Sequence, residues 1–381
     1  MKVLIVTDAY YPYPSGVTEY SANISKALRE IGVKTDILTL HYDNEKDEDN
    51  LIRVGYCKLF SLNKQRVTLP WSINTSEEVK NVINKGHYDI IHLNGPFYPN
   101  ISYLALKYSN TANIATFHSA PLSIPRFTSL LHRMLFRSLI EKLDIRIGVS
   151  QVAVNFIKPY FPGEYSVIPC GVDTTIFNEN VGNFKDMNNY GDALKILFVG
   201  RLDKKKGLDI LIKALSRLDG DINYHLYIAG DSVSRNKYQT MAIELNVPTT
   251  FLGYLYKGHG LENAYANADI YCAPTRGRET FGIVLIESMA CGTPVIASNV
   301  DGYNLVIEDG KNGILVESDP ESFKKGIEKL ARDRNLCNRL KRNGLEFARK
   351  HNWKNITKDL IIYYEKAIDI SKKRLGNGKT L

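Results

Sequence analysis

Residues 269–298 read DIYCAPTRGRETFGIVLIESMACGTPVIAS. Two short apolar runs, DIYCAP and PVIAS, bracket IVLIESMACG, which is long and apolar enough for a buried helix. Strands buried on both faces read as continuous apolar runs, not as alternating ones. A strand, a helix and a second strand in this order predict a parallel sheet with helices on both faces. The pattern extends outward. KILFVG (195–200), YHLYIAG (224–230) and TTFLGYL (249–255) are further strands upstream. KVLIV (2–6), KTDILTL (34–40), DIIHL (89–93) and NIATFH (113–118) form an earlier set, with the helix TEYSANISKALREIG (18–32) after the first. The stretch Asp173–Asp192 is rich in Asn, Gly and Asp and has no period, so it reads as a linker. The expected division is residues 1–172, 173–355 and a C-terminal helix with a basic tail at 356–381.

Length and composition agree with this. A chain of 381 residues suits two domains. Hydrophobic content of 44% and charged content of 24% are those of a globular protein. No apolar run approaches the roughly 20 residues of a membrane span, and the start, MKVLIVTDAY, lacks the long apolar segment of a signal peptide. Five cysteines, with no C-x-x-C, argue against a disulfide framework and a thiolate zinc site and point to a reducing cytoplasm. The formal charge is +8, and residues 354–381 carry seven Lys/Arg against three Asp/Glu. The rest is too evenly mixed for a nucleic-acid surface; a phosphate-bearing ligand or an anionic membrane suits it better.

Ligands of open parallel sheets bind beyond the carboxyl ends of the strands. After the first strand, Gly16 precedes a helix whose free N–H groups suit a phosphate; an ordinary strand–helix turn has the same look. No G-x-G-x-x-G is present, so a nicotinamide dinucleotide site lacks its fingerprint. His118 closes the NIATFH strand, where function concentrates. In GRLDKKKG (200–207), Arg201 and Lys206 are two cations able to hold a diphosphate, with Lys204 and Lys205 read as solvated. Glu279 stands at the mouth of the IVLIESMACG helix and Glu287 lies further along it.

E-x7-E with Phe281-Gly282 after the first glutamate, then ESMACGTPVIAS and DGKNGILV (309–316), resembles the family 4 glycosyltransferases. GRLDKKKG is similar to their G-R-L…K-G element, VIPCGVDTTIF (167–177) to their N-G-V-D-x-x-x-F segment, and YPYPSGVTEYSANISKAL (11–28) to their glycine-rich loop and first helix. The resemblance spans nearly the whole chain. ATFHS and YCAPTRGRETFGIVLIESMACGT are similar to the bacterial phosphatidylinositol mannosyltransferases. It implies a GT-B fold, α/β, with two facing Rossmann-like domains and a C-terminal helix crossing back to the first. It implies a retaining, metal-independent transfer of a hexose from a GDP- or UDP-linked donor to a glycan or lipid-linked acceptor, with no cofactor. It gives Glu287 to the donor ribose, Glu279 to the transferred sugar, Arg201 and Lys206 to the diphosphate, and the backbone at Phe281, Gly282 and Ile283 to the sugar and distal phosphate. His118 would face the donor sugar, and the chain at Tyr254 and Leu255 would read the base. Three departures stand out: Ser15 where a glycine is frequent, Cys170 in place of Asn, and Arg276 and Arg278 beside the site, as solvated side chains or contacts for an anionic acceptor.

The chemical problem is to part a sugar from a dianionic diphosphate. Metal-using enzymes hold their ion with D-x-D. Asp47-Glu48-Asp49 lies in a charge run and Asp219-Gly220-Asp221 in a turn, and neither follows an apolar strand. Fixed cations and a helix N-terminus can carry the leaving charge instead. With no clear nucleophile, the acceptor hydroxyl would attack on the leaving-group face. Two other readings remain: a sugar-nucleotide epimerase or hydrolase of the same fold, and a nucleotide-sugar-binding protein without turnover. RFTSLLHRMLFRSLIEK (126–142) has helical spacing, with Arg126, Arg133 and Arg137 on one face and Phe127, Leu131, Met134 and Leu135 on another. It reads as a core helix with a basic edge or as a reversible contact with anionic lipid, to which Lys372, Lys373 and Arg374 would add.

Overall fold

The computed structural model describes residues 1–12, 15–43, 49–62, 65–70, 74–96, 100–118, 134, 136–187, 190–277 and 279–376. The chain divides into two compact units, residues 1–170 with 353–381 and residues 171–352.

The first unit contains β1 (Lys2–Val6), α1 (Gly16–Glu30), β2 (Lys34–His41), β3 (Leu51–Leu62), β4 (Gln65–Pro70), α2 (Thr75–Gly86), β5 (Ile90–Asn94), α3 (Ile101–Tyr108), β6 (Ala112–Phe117), α4 (Arg137–Glu141), β7 (Ile145–Gly148), α5 (Gln151–Ile157) and β8 (Ser166–Val167). Its sheet runs β4-β3-β2-β1-β5-β6-β7-β8. Every pairing is parallel except β3 with β4. The strands β5 and β6 are buried at every residue, as a sheet covered on both faces requires. Helix α1 starts where Ser15 accepts a hydrogen bond from the Thr18 N–H, carries Glu19 in its first turn and ends before Gly32 at φ 85°.

The second unit contains β9 (Leu194–Val199), α6 (Leu208–Leu215), β10 (Tyr224–Ala229), α7 (Arg235–Glu244), β11 (Thr249–Gly253), α8 (Leu261–Ala266), β12 (Ile270–Ala273), α9 (Ile283–Ala290), β13 (Val295–Ser298), β14 (Ile314–Val316), α10 (Pro320–Arg332) and α11 (Arg334–Lys350). All strands are parallel, in the order β11-β10-β9-β12-β13-β14. That is the order 3-2-1-4-5-6 of a dinucleotide-type sheet, whose ligand crevice opens where the order reverses. Here the reversal lies between β9 and β12. A core of Ile196, Phe198, Leu211, Leu226, Ile228, Ile270, Ile296 and Phe323 lies under it.

The segment 173–192 is irregular, as its lack of period predicts, yet it is attached to this unit. Phe177 packs edge-on to Tyr265, Met187 is fully buried, and Tyr190 stacks on His225. The final helix, α12 (Trp353–Gly376), belongs to the first unit. Trp353 packs on Tyr20, and Tyr364 bonds to His92 at 2.7 Å. Arg374 pairs with the buried Asp144 at 3.1 Å and also donates to the Thr111 carbonyl. That guanidinium is thus committed to the fold, which removes it from the basic group read in the tail. Arg126, Phe127, Leu131, Arg133 and Leu135 lie outside the described residues. Met134 and Arg137 are exposed, and Arg137 pairs with Glu141 at 2.9 Å. Among the described residues no helix is long and apolar enough to cross a membrane.

Candidate active site

The loop after β9 and the loop after β12 meet at the reversal in the second sheet. Gly207, at φ 72°, starts α6; a Cβ there would come within 1.8 Å of the Pro274 carbonyl. Only glycine lets the two loops approach so closely. This brings Lys206 to Glu279, with Nζ 2.7 Å from Oε1 and both side chains mostly buried. Lys205 approaches the same oxygen at 3.5 Å. It therefore belongs to the cluster, against the expectation of a solvated turn. The backbone of Glu279 is itself pressed against Gly302, where a Cβ would meet its carbonyl oxygen at 2.3 Å.

Arg201 does not touch Glu279. Its guanidinium lies 3.2 Å from Asp203, whose other oxygen accepts the Lys206 backbone N–H at 3.0 Å. Asp203 thus orients both cations, a role with no signal in the sequence beyond its place between them. Arg276 is not held ready for an acceptor. It makes a bidentate pair with Asp209 at 2.5 and 2.6 Å and donates to the Lys204 carbonyl, fastening the two loops together. Burial pushes Asp209 up, but the hydrogen bonds and charge of Arg276 outweigh it and hold the carboxyl below its ordinary value. Arg278 lies outside the described residues.

Helix α9 starts at Ile283, with Gly282 at φ 96° as its cap. Gly282 has no side chain to cap with, and the N–H groups of Gly282, Ile283 and Val284 find no acceptor among the described residues. Two lysines and a helix N-terminus at one mouth suit an anion. Glu287 lies one turn into α9, where its carboxylate accepts from the buried Tyr265 hydroxyl at 3.2 Å. Tyr254 and Leu255 follow β11, and the exposed Tyr254 ring lies near parallel to Tyr256.

Asp219 and Asp221 precede β10 at its amino end, away from this crevice, where Arg332 pairs with both, at 2.8 and 3.0 Å. Asp47 and Glu48 lie outside the described residues. Among the described residues no cluster of three or more His, Cys, Asp or Glu could hold a metal ion.

The first unit has its own reversal, between β1 and β5. Gly16 opens α1, and a Cβ there would meet nothing among the described residues within 4 Å. Ser15 is the cap of that helix, which gives its hydroxyl a purpose that a second glycine would lack. His118 follows β6, with Nε2 2.8 Å from Asn94 Oδ1 and its ring edge-on to Tyr20. Burial, helped by neighbouring His92, pushes its pKa down to about 3. Asp8, at the end of β1, accepts the Ile101 N–H at 3.0 Å; burial pushes it up to about 7 against that bond. Neither Asp8 nor Asn94 stands out in the sequence as a site residue. Cys170 is buried, and burial pushes its thiol up to about 12, so it is a neutral packing group at the position where the resembled segment would carry Asn.

Residues 14–176 match the family described as Glycosyltransferase Family 4, and residues 182–347 match Glycosyl transferases group 1. An uncharacterised glycosyltransferase of Methanocaldococcus jannaschii is 30% identical, the alignment covering 97% of this chain and 99% of that one.

This chain is a family 4 glycosyltransferase.

Such an enzyme moves a sugar from a nucleotide sugar. A phosphatidyl-myo-inositol mannosyltransferase of Mycobacterium tuberculosis is 28% identical over 96% of this chain and 97% of its own. Among solved structures, the sucrose-phosphate synthase of Thermosynechococcus elongatus superimposes with a TM-score of 0.76 at 22% identity, covering 96% of this glycosyltransferase and 98% of that chain. The likeness is one of fold: the two Rossmann-like units and the returning C-terminal helix are those of GT-B.

Proposed function

We propose that the enzyme is a retaining, metal-independent hexosyltransferase that uses a GDP- or UDP-linked sugar and a lipid-linked or glycan acceptor. The observation that supports it most is the Lys206–Glu279 pair at the reversal of the second sheet, with Lys205 beside it. In this reading Lys206 and Arg201 take the diphosphate, and the free N–H groups of Gly282 and Ile283, with Phe281 before them, take the sugar and the distal phosphate. Without a ligand Lys206 neutralises Glu279; when the diphosphate arrives the lysine turns to it, and Glu279 is released to accept hydroxyls of the sugar. Glu287 takes the ribose, with Tyr265 steadying its carboxylate. The chain at Tyr254 and Leu255 lies along the base. In the first unit, Gly16 opens α1 and His118 serves a sugar hydroxyl.

Charge on the departing phosphate grows as the anomeric bond lengthens, so fixed cations stabilise the transition state more than the ground state. The phosphate oxygen removes the proton of the attacking hydroxyl on the same face, which retains configuration and needs no side-chain base. A lipid-linked acceptor is favoured by the mycobacterial relative, whose name places mannose on a phosphatidylinositol. Reversible binding to an anionic leaflet would follow through exposed basic residues such as Lys372 and Lys373.

A thermal-shift screen with UDP-glucose, UDP-N-acetylglucosamine, GDP-mannose and the bare diphosphates tests the donor assignment. A ligand at a hundred times its Kd stabilises the native state by about 2.7 kcal/mol. The reading expects one nucleotide series to raise the melting temperature; no rise with any of them contradicts it.

A further inference from the structure

Asn94, the last residue of β5, is buried and has three partners. Its Nδ2 lies 3.2 Å from the Val6 carbonyl oxygen and 3.2 Å from Ser21 Oγ, and its Oδ1 lies 2.8 Å from His118 Nε2. The direction of each bond follows from the next. The Ser21 hydroxyl donates to the Val17 carbonyl at 2.8 Å, so its oxygen accepts from Asn94. A carbonyl such as that of Val6 can only accept. Both amide hydrogens of Asn94 are therefore committed, and its oxygen is what faces His118. An amide oxygen cannot donate, so Nε2 of His118 carries the hydrogen. A neutral imidazole carries one hydrogen, and Nδ1 is then a bare lone pair with no partner among the described residues.

The surroundings keep the ring neutral. Burial and His92 push His118 down to about 3. His92 is itself pushed down to about 3 by burial, between the Tyr364 hydroxyl and Thr116 Oγ1. Among the described residues, the titratable ring packed edge-on against His118 is Tyr20 of α1, which burial raises.

We propose that Asn94 is a positioning residue that fixes His118 as a hydrogen-bond acceptor at Nδ1, so that the enzyme selects a sugar whose hydroxyl donates a hydrogen bond to it. The chain Val17–Ser21–Asn94–His118 ties that choice to α1, the helix that Gly16 opens. The proposal rests on the assignment of His118 to a sugar hydroxyl.

Nitrogen-15 NMR of histidine-labelled enzyme reads the tautomer directly, with His118→Ala identifying the signal. The expected result is one neutral ring, protonated at Nε2, from pH 5 to 8; in Asn94→Leu the same signal becomes a mixture of tautomers. A His118 protonated at Nδ1, or unchanged in Asn94→Leu, overturns the proposal.

The hydroxyl is tested on unaltered enzyme with UDP-glucose or GDP-mannose, whichever it turns over, and with their single-position deoxy and fluoro analogues. Neither hydrogen nor fluorine can donate, so at one position both should lose about tenfold in kcat/KM. That loss should vanish in His118→Ala, whose ratio cancels the intrinsic reactivity of each analogue. A fluoro donor that keeps the activity lost by the deoxy donor would mean that His118 donates, which overturns the inference. If His118→Ala instead transfers as well as the native enzyme, the assignment of His118 itself fails, and the inference with it.

Discussion

The two sheets of this enzyme reverse their strand order in the same way and furnish the reversal with opposite chemistry. In the second unit the groups are ions: Lys206 and Lys205 on Glu279, Arg201 on Asp203, Arg276 on Asp209. In the first they are mostly uncharged or shifted toward the neutral form by burial, beside the Glu19 carboxylate of α1, which accepts from the Tyr11 hydroxyl at 2.6 Å. His92 and His118 are pushed down to about 3, Asp8 is pushed up to about 7, and Asn94, Thr116, Ser21 and Tyr20 are uncharged. The fold decides where a ligand lies, and the side chains decide what it is. A diphosphate that gathers charge as it leaves calls for fixed cations. A sugar or acceptor hydroxyl calls for neutral partners whose hydrogen-bond direction is set. The contrast supports a division of labour in which the second unit handles phosphate and the first handles hydroxyls.

The largest effect should come from the ionic side. Lys206→Ala is expected to lower kcat on the order of a hundredfold or more, with a smaller change in donor affinity. Steady-state kinetics beside a donor titration measure both. A variant that turns over normally would end the account of the leaving group and blur the contrast between the units.

Arg276→Ala should act through structure. Losing the bidentate pair with Asp209 unfastens the loop that carries Lys206 from the end of β12. A loss of about 1–2 kcal/mol in stability is expected, seen in chemical denaturation, with a raised donor KM. An unchanged KM would mean that the Lys206 loop holds its shape alone.

A different kind of effect lies in the neutral unit, in how stability follows pH. Asp8 has a folded pKa of about 7 against an ordinary 3.8. Below that ordinary value both states are protonated and nothing is lost. As pH rises toward 7 the unfolded chain ionises while the folded one resists, so stability falls. Asp8→Asn removes this dependence. Its melting temperature relative to the native enzyme should therefore climb between about pH 4 and 7. The buried histidines act the other way, losing stability as pH falls from their ordinary 6.5 toward 3; their effect is common to both proteins and cancels in the difference. A flat difference would show that Asp8 ionises freely and that the first unit is not a neutral site.

The same contrast explains what could be read from the sequence. The parallel sheets were legible because buried strands such as β6 and β12 are unbroken apolar runs. Lys206 and Glu279, which meet at 2.7 Å, were legible as candidates because each belongs to a short, dense local pattern. The neutral network was not. His92 meets Tyr364 across 272 residues of chain, and Asn94 meets Ser21 across 73. Asn94 directly follows DIIHL and Thr116 lies inside NIATFH, where a polar residue looks like the end of an apolar strand or an incidental break in one. The hairpin of β3 and β4 was also missed, since its apolar residues are interleaved with Arg53, Lys58 and Arg66. Arg276 was misjudged for a different reason: its partner Asp209 is 67 residues away, and a charge in a loop looks solvated until its counter-ion is seen.

The central claim is that protein cations, rather than a bound metal, carry the charge of the leaving diphosphate. The direct test is sugar transfer by enzyme stripped of metal and assayed in excess EDTA, with the Lys206→Ala variant measured beside it. The account predicts a native rate that is unchanged by chelation and a variant rate that is low and not restored by Mg²⁺ or Mn²⁺. Loss of native transfer in EDTA, with recovery on adding either ion, would contradict it.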